Sequence, residues 1–408
     1  MDSSLPYRAS GYHVEFQDRT LMTPTVVEEQ LKDVYSERID AIERLVLRGR
    51  RPRSIGYNAR IGEHGPRLSD PVVRLRTAGG GWGIGWSELT QEDAQELIGR
   101  PISDLFRMPN GSTQAGFQID LPLWDLVARL LGLPLFRLLG ARGSRQVPVY
   151  DASIYIDDLE LDDAHARELF TQEVRSGQAH GYHHFKVKVG RGARWMAPTA
   201  GLDRDALVVA AVREAAGEQA HVMIDANMGN TFNSACDLLL ACAEADIYWF
   251  EEPFAEDAPL NQALKEFIEE NGLRTLIADG EFAPPPYFFD LIEQGWIDIA
   301  QQDFHIYGLT WWRDMAARVE ACAGRCAPHT WGSYIDRYPH AHFAASIANY
   351  ELLEAAPAEV PGLVDDGWAL VDGCLIVPET PGCGFDVDAK IFEQALLTGD
   401  AWRVTANT

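Results

Sequence analysis

The octapeptide HHFKVKVG, His183–Gly190, sets Phe185, Val187 and Val189 in alternation with His184, Lys186, Lys188 and Gly190. A period of two marks a β-strand with one apolar face. Both lysines then project to the same side, two positions apart. On a solvent-facing sheet edge this would be ordinary, because edge strands commonly carry lysine. The place of the strand in the chain decides whether it is such an edge.

From about Val147 onward, short β-rich runs alternate with helix-like segments. The runs are VPVYDASIY, FKVKV, HVMIDAN, IYWFEEP, RTLIADGE, IDIAQQD, RCAPH and YELLEA, with amphipathic stretches such as Asp205–Gly217 and ACDLLLACAEA between them. This alternation predicts parallel strands joined by crossover helices. The runs close on polar residues: Asp225 and Asn227, Glu251 and Glu252, Asp279 and Glu281, Asp303, His329, and Glu354. These recur every 22 to 30 residues, about the length of one strand–loop–helix unit. In an eight-fold barrel the C-terminal strand ends meet at one mouth, where that fold keeps its active sites.

Asp225, Glu251 and Glu281 would bring three carboxylates together there. Bare, they would repel one another. A divalent cation resolves the repulsion, and an all-oxygen ligand set suits Mg²⁺. Salt bridges to surface arginines are the plainer alternative, and the regular spacing speaks against them. Lys186 and Lys188 lie one strand earlier, on the flank of that cation. A lysine beside a dication and a second lysine is expected to have a lowered pKa, as a base requires. Asp303 and His329 end consecutive runs, so a carboxylate would fix the tautomer of a neighbouring imidazole. An isolated histidine is more often structural; one at a barrel mouth opposite a lysine is read as catalytic.

The N-terminal part reads as strand, helix, loop, strand, with Thr25–Leu47 helix-like. A loop holding Arg48, Arg50, Arg51, Arg53, Arg60 and Arg67 follows, then the strand pair VVRLRT and GWGIGWSE around the turn AGGG. Last comes the apolar helix in IDLPLWDLVARLLGLPLFRLLG, with a stop at Gly132-Leu133-Pro134. Residues 1–140 are expected to form an α+β domain and 141–375 the barrel. WALVDG and CLIVPET then lead the chain, from about 376 to 408, back onto the first domain.

A net charge of −26 argues against nucleic acid and anionic membrane as partners. No run of eighteen apolar residues offers a transmembrane helix, and MDSSLPYRASGYHVEF lacks the apolar region of a secretory signal. Six cysteines, the closest pair being CAGRC, complete no zinc site and read as reduced thiols of a cytoplasmic protein.

Taken in order, the helix PLWDLVARLLGLPLFRLLG, the K-x-K of FKVKVG, IDAN, FEEP, the GE of IADGE, the aspartate of IAQQD, the PH of CAPH and the closing PGCGFDVD resemble the enolase superfamily, in particular its mandelate racemase subgroup. The resemblance implies a modified (β/α)7β TIM-type barrel with an N-terminal α+β capping domain, and an α/β fold class overall. It implies Mg²⁺ on Asp225, Glu251 and Glu281, binding the carboxylate of a substrate that carries an α-hydrogen and holding the resulting ene-diolate. Lys188 matches the base on one face, and Lys186 the residue that assists the bound carboxylate. His329, oriented by Asp303, serves the other face. Asn227 and Glu354 match substrate contacts. Relatives are often dimers or octamers, so a homo-oligomer is implied.

This chain also departs from the pattern. DFHIYGLT is one residue short of the usual double glycine, so Gln302 competes with Asp303 for the dyad position, and Asp279 competes with Glu281 as ligand. The preferred reading is a Mg-dependent hydro-lyase that acts on a small sugar acid. It removes the α-proton and expels the β-hydroxyl to give a 2-keto-3-deoxy acid. A racemase or epimerase of a 2-hydroxy acid is the alternative within the subgroup, and a catalytically silent sugar-acid binder the alternative outside enzymes. A metal-dependent hydrolase would want H-x-H on the first barrel strand. The H-x-H present, His340 and His342, comes too late, in a predicted helix. One or more of the arginines in 48–67 is expected to reach the far end of the substrate, unless they only pair with surface acids.

Overall fold

The computed structural model describes residues 24–406. The expected first strand and the N-terminal stretch MDSSLPYRASGYHVEF lie outside the described residues. The first helix, Pro24–Ser36, is shorter than its pattern suggested. Ile39–Arg50 is a strand, β1, not a continuation of the helix. Its residues Ile39, Ile42, Leu45 and Leu47 are buried by pairing on both sides, with β2 (Arg67–Thr77) and with the last strand of the chain. Tertiary burial here overrides a local helical spacing. β3 (Trp82–Trp86) completes the antiparallel sheet.

The helix Asp120–Leu130 lies against β3 with Leu123, Trp124, Leu126 and Val127 fully buried. Burying side chains of this size stabilises by roughly 1.5–3 kcal/mol each. The close approach depends on Gly83, where a Cβ would stand 2.4 Å from the backbone nitrogen of Leu126.

The second half is a run of parallel strands: β4 (Gln146–Ile154), β5 (His184–Lys188), β6 (Val222–Asp225), β7 (Trp249–Glu251), β8 (Leu276–Asp279), β9 (Ile299–Ala300) and β10 (Arg325–Cys326), each bonded to the next. β11 (Leu353–Ala355) pairs in parallel with β4, and Tyr350 just before it bridges Cys326. The two ends of the run are thereby brought together. A helix separates each strand from the next, giving the (β/α)7β order. Phe185, Val187, Ile224, Phe250 and Ile277 face the helices, while Tyr150, Met223, Trp249, Ala278 and Ile299 pack together on the other face. Lys186 lies opposite Met223 in the register, and Lys188 opposite Asp225. The two lysines therefore belong to the interior of the strand ring.

The segment after Trp368 differs from expectation. β12 (Ala369–Val371) and β13 (Cys374–Ile376) form a hairpin that stays on the barrel, with β13 antiparallel to β4. The chain meets the first sheet at Asp386 and Val387, which accept from Arg74 of β2, and adds a strand to it at β14 (Ala401–Thr405), which pairs with β1. Among the described residues all six cysteines are free thiols, and no helix is long and apolar enough to cross a membrane.

His340 and His342 sit on the helix Arg337–Ala344, both fully buried. Two positions apart on a helix, they point to different surroundings. His340 stacks on Phe304, and His342 stacks on Phe136 while its Nδ1 accepts the Phe136 N–H. Burial pushes both rings down to about 3. They stay neutral in the fold but take protons in the unfolded chain below about 6.5. Their contribution is complete above that pH and is lost as pH falls towards 3. Chemical denaturation should therefore show about 2 kcal/mol less stability per ring at pH 5 than at pH 7. His340→Gln and His342→Gln should each remove that share of the slope.

Candidate active site

The C-terminal ends of β5 to β11 converge on one buried cluster of charge. Lys188 Nζ contacts Asp225. Lys186 Nζ contacts Glu251, lies 3.0 Å from Glu354 Oε1 and 3.5 Å from Asp225 Oδ2. Across the cluster, His329 Nδ1 lies 2.6 Å from Asp303 Oδ1, and its Nε2 lies 3.4 Å from Glu281 and 3.8 Å from Glu354. Lys188 thus stands at the Asp225 end of the carboxylate series and His329 at the Glu281 end.

The supports of each group come from neighbouring strands. Asp225 Oδ1 accepts the Asn227 N–H at 2.9 Å. Glu251 Oε2 accepts from Trp249 Nε1 and Gln301 Nε2 at 3.0 and 2.9 Å. Asp303 Oδ2 accepts the Phe282 N–H, and Glu354 Oε2 accepts the Thr330 N–H at 2.8 Å. Beneath β5, the fully buried Arg191 bridges Asp158 and Asp205 and donates to the Lys188 carbonyl at 3.3 Å, fixing the strand end. Asn227, Glu252 and Phe282 carry φ of 43°, 42° and 56°. Left-handed backbone at non-glycine residues persists only where the surroundings impose it, and it gathers at functional sites.

The electrostatics follow from acid outnumbering base. Burial pulls the Lys186 and Lys188 ammonium groups down. The carboxylates lift them further, chiefly Glu251 and Glu354 for Lys186 and Asp225 for Lys188, so both lie above the ordinary lysine value. The lowered value expected from sequence presupposes a dication beside the ammonium; the contacts with Glu251 and Asp225 by themselves act in the opposite sense. Burial lifts Asp225, but the two lysines outweigh it and hold it below the usual carboxylate range. Burial, then neighbouring acids, push Glu252 and Asp279 well up. His329 is pulled down by burial but raised overall by Glu281, Glu354 and Asp303.

One oxygen each of Asp225, Glu251 and Glu281 lies within 4.8 Å of the others. The donor set is entirely oxygen, and Glu281 Oε1 is buried with no hydrogen-bond donor. Both features fit a hard dication such as Mg²⁺. Asp279 is not part of this group: its Oδ1 accepts the adjacent Gly280 N–H, and its Oδ2 is buried and unpartnered. Gln302 is buried with both amide atoms unpartnered, and it is Asp303 that meets His329. Asn227 donates its side-chain amide to Glu252 at 3.0 Å.

Sequence reasoning passed over the aromatic wall. Lys188 Nζ lies 5.1 Å from the centre of the Tyr155 ring, and Tyr155 stacks on Trp331 at 4.9 Å. The loop 51–66 comes down on this wall. His64 packs edge-on against Tyr155, Tyr57 bridges Ile156, and Ala59 approaches Gly190 and Gly229 at two strand ends. Tyr155 could have been found, because it closes the run VPVYDASIY as Asp225 closes HVMIDAN. His64 and Trp331 come from loops without periodicity and carry no such signal.

The Enolase C-terminal domain-like family matches residues 169–391. The chain is 32% identical over 279 residues to the 3,6-anhydro-alpha-L-galactonate cycloisomerase of Streptomyces coelicolor, covering 68% of this chain and 70% of that one. It is also similar to the galacturonate dehydratase of a Geobacillus species, solved with D-galacturonate and 5-keto-4-deoxy-D-galacturonate. That match has 34% identity and a TM-score of 0.86, over 90% of this chain and 99% of that one. A mandelate racemase/muconate lactonizing protein of Geobacillus sp. Y412MC10, solved with magnesium and tartrate, gives 34% identity and a TM-score of 0.87, over 91% and 98%. The chain belongs to the enolase superfamily and, within it, to the mandelate racemase subgroup.

Proposed function

We propose that this chain is an acid-sugar dehydratase that removes the α-proton of a sugar carboxylate and eliminates the β-hydroxyl, giving a 2-keto-3-deoxy acid. The observation that carries the reading is the placement of Lys188 and His329 at opposite ends of one buried carboxylate series. Asp225, Glu251 and Glu281 would hold Mg²⁺, which supplies fixed positive charge for the carboxylate end of the substrate.

Lys188 would take the α-proton on Nζ in the neutral form, which becomes accessible once the Asp225 charge that raises it is engaged by the ion. His329 has Nδ1 occupied by Asp303, so only Nε2 faces the cavity. It donates its proton to the leaving hydroxyl, which departs as water. The enol that remains tautomerises to the ketone, and no oxidant or reductant is consumed. Lys186 donates to the substrate carboxylate between the two proton carriers, and Glu354, 3.0 Å from its Nζ, holds that ammonium in place. The Geobacillus dehydratase's named ligands describe the same change numbered from the other end of the chain, since in galacturonate C5 bears the carboxyl group and C4 follows it.

Proton carriers at opposite ends of the carboxylate series also permit a second outcome: the proton returned from the opposite face without loss of water. Purified protein with Mg²⁺ should be screened against mono- and di-acid sugars, with semicarbazide to detect 2-keto products and D₂O to detect α-hydrogen exchange. A 2-keto product from at least one acid is expected. Exchange without product would favour epimerisation. Neither, with any acid, would defeat the enzymatic reading.

A further inference from the structure

Phe282 directly follows the carboxylate Glu281, and its side chain is 57% exposed although it adjoins a buried site. Its φ of 56° is left-handed backbone, where glycine is unstrained and a bulky residue is costly. Both of its backbone polar groups are nonetheless committed. The N–H donates to Asp303 Oδ2 at 2.6 Å, and the carbonyl accepts from the Tyr307 hydroxyl at 2.9 Å. Tyr307 is itself fixed. Its ring packs on Trp311 with centres 4.4 Å apart, and the helix Phe304–Ala321 breaks just after it at Gly308. A Cβ at Gly308 would stand 2.8 Å from Asp120 Oδ2.

The Phe282 ring lies 6.4 Å from the His329 imidazole, centre to centre, inclined at 49°. It therefore flanks the Asp303–His329 end of the carboxylate series, the end opposite Lys188. A single exposed apolar side chain needs no explanation. One held in costly backbone beside a proton carrier does, because the fold gains little from a ring that it does not bury. The ring is buried only when an occupant of the cavity covers it. The C–H face of a sugar chain is such an occupant, since aromatic walls with a few placed polar groups are how small-molecule sites take up mixed surfaces.

We infer that Phe282 packs on the C–H face of the sugar chain at its His329 side, shielding the leaving hydroxyl from bulk water, and that Tyr307 is the positioning residue that holds it there. The inference rests on the acid-sugar reading and adds a substrate contact to it.

The test compares wild type with Phe282→Gly, Phe282→Tyr and Tyr307→Phe on galactonate, gluconate, galactarate and glucarate in the presence of Mg²⁺. Phe282→Gly should lower kcat/KM by about 10- to 100-fold, chiefly through KM. Its Tm without substrate should not fall, because glycine relieves the left-handed backbone, and the rise in Tm on adding Mg²⁺ should persist, because Glu281 is untouched. Phe282→Tyr keeps the ring and should restore KM. Tyr307→Phe removes only the hydroxyl and should raise KM by about 2- to 10-fold. A Phe282→Gly variant with wild-type KM on every acid that the wild type turns over would overturn the inference. So would one whose Tm and Mg²⁺-dependent rise are lost along with its activity, since the ring would then be a support for Glu281. A wild type that neither exchanges the α-hydrogen nor forms a keto acid from any of the four would defeat the acid-sugar reading itself.

Discussion

Lys188→Ala should lower formation of the 2-keto product by about 10³- to 10⁴-fold, and it should abolish α-hydrogen exchange with D₂O as well. The second half of that result is the informative one. Lys188 touches Asp225 at one end of the carboxylate series, and His329 touches Glu281 at the other. If Lys188 takes the α-proton and His329 serves only the leaving hydroxyl, His329→Asn loses the product by about 10²- to 10⁴-fold yet keeps exchange, because a lysine ammonium trades its protons with solvent. The opposite pattern, with exchange lost in His329→Asn and kept in Lys188→Ala, would reverse the assigned roles. Asp303→Asn should resemble His329→Asn in direction, since Asp303 accepts from Nδ1 and leaves Nε2 as the only nitrogen facing the cavity.

Chelation should have an effect of similar size. Stripping divalent cations is expected to reduce turnover by about 10³-fold or more, with recovery on adding Mg²⁺. A binding readout separates this from chemistry. With Mg²⁺ at one hundred times its dissociation constant, the fold should gain about 2.7 kcal/mol, seen as a rise in Tm. Glu281→Gln should lose that rise, because Glu281 Oε1 is buried and, among the described residues, accepts no hydrogen bond, with only the His329 ring 3.4 Å away. A Glu281→Gln variant that kept the full Mg²⁺-dependent shift would show the ion to lie elsewhere.

The barrel was legible because its rule is periodic. Polar residues recurring once per strand–helix unit marked the strand ends, and FKVKVG, IDAN and FEEP fall on β5, β6 and β7. The first sheet was less legible. The spacing of Val34 and Ile39 is compatible with a helix, and only the pairing of β1 with strands distant in sequence makes Ile39–Arg50 extended. The contacts of the two lysines with Glu251 and Asp225, which raise both ammonium groups, are not specified by spacing. Of the six arginines in 48–67, composition could not single out Arg51. Its distinction is burial with no carboxylate ion pair among the described residues, which is a property of surroundings rather than of sequence.

The β1–β14 pairing ties residues 401–405 to the strand that begins at residue 39. On a ribosome the sheet begun first is therefore the last to be finished, for its edge strand is still inside the exit tunnel when the intervening barrel has already been synthesised. Deleting the final turn of sequence would strip a strand from β1 and leave its backbone open to pairing with another chain. Deletion of residues 401–405 should thus show itself as aggregation of nascent protein well before it shows as any change in chemistry.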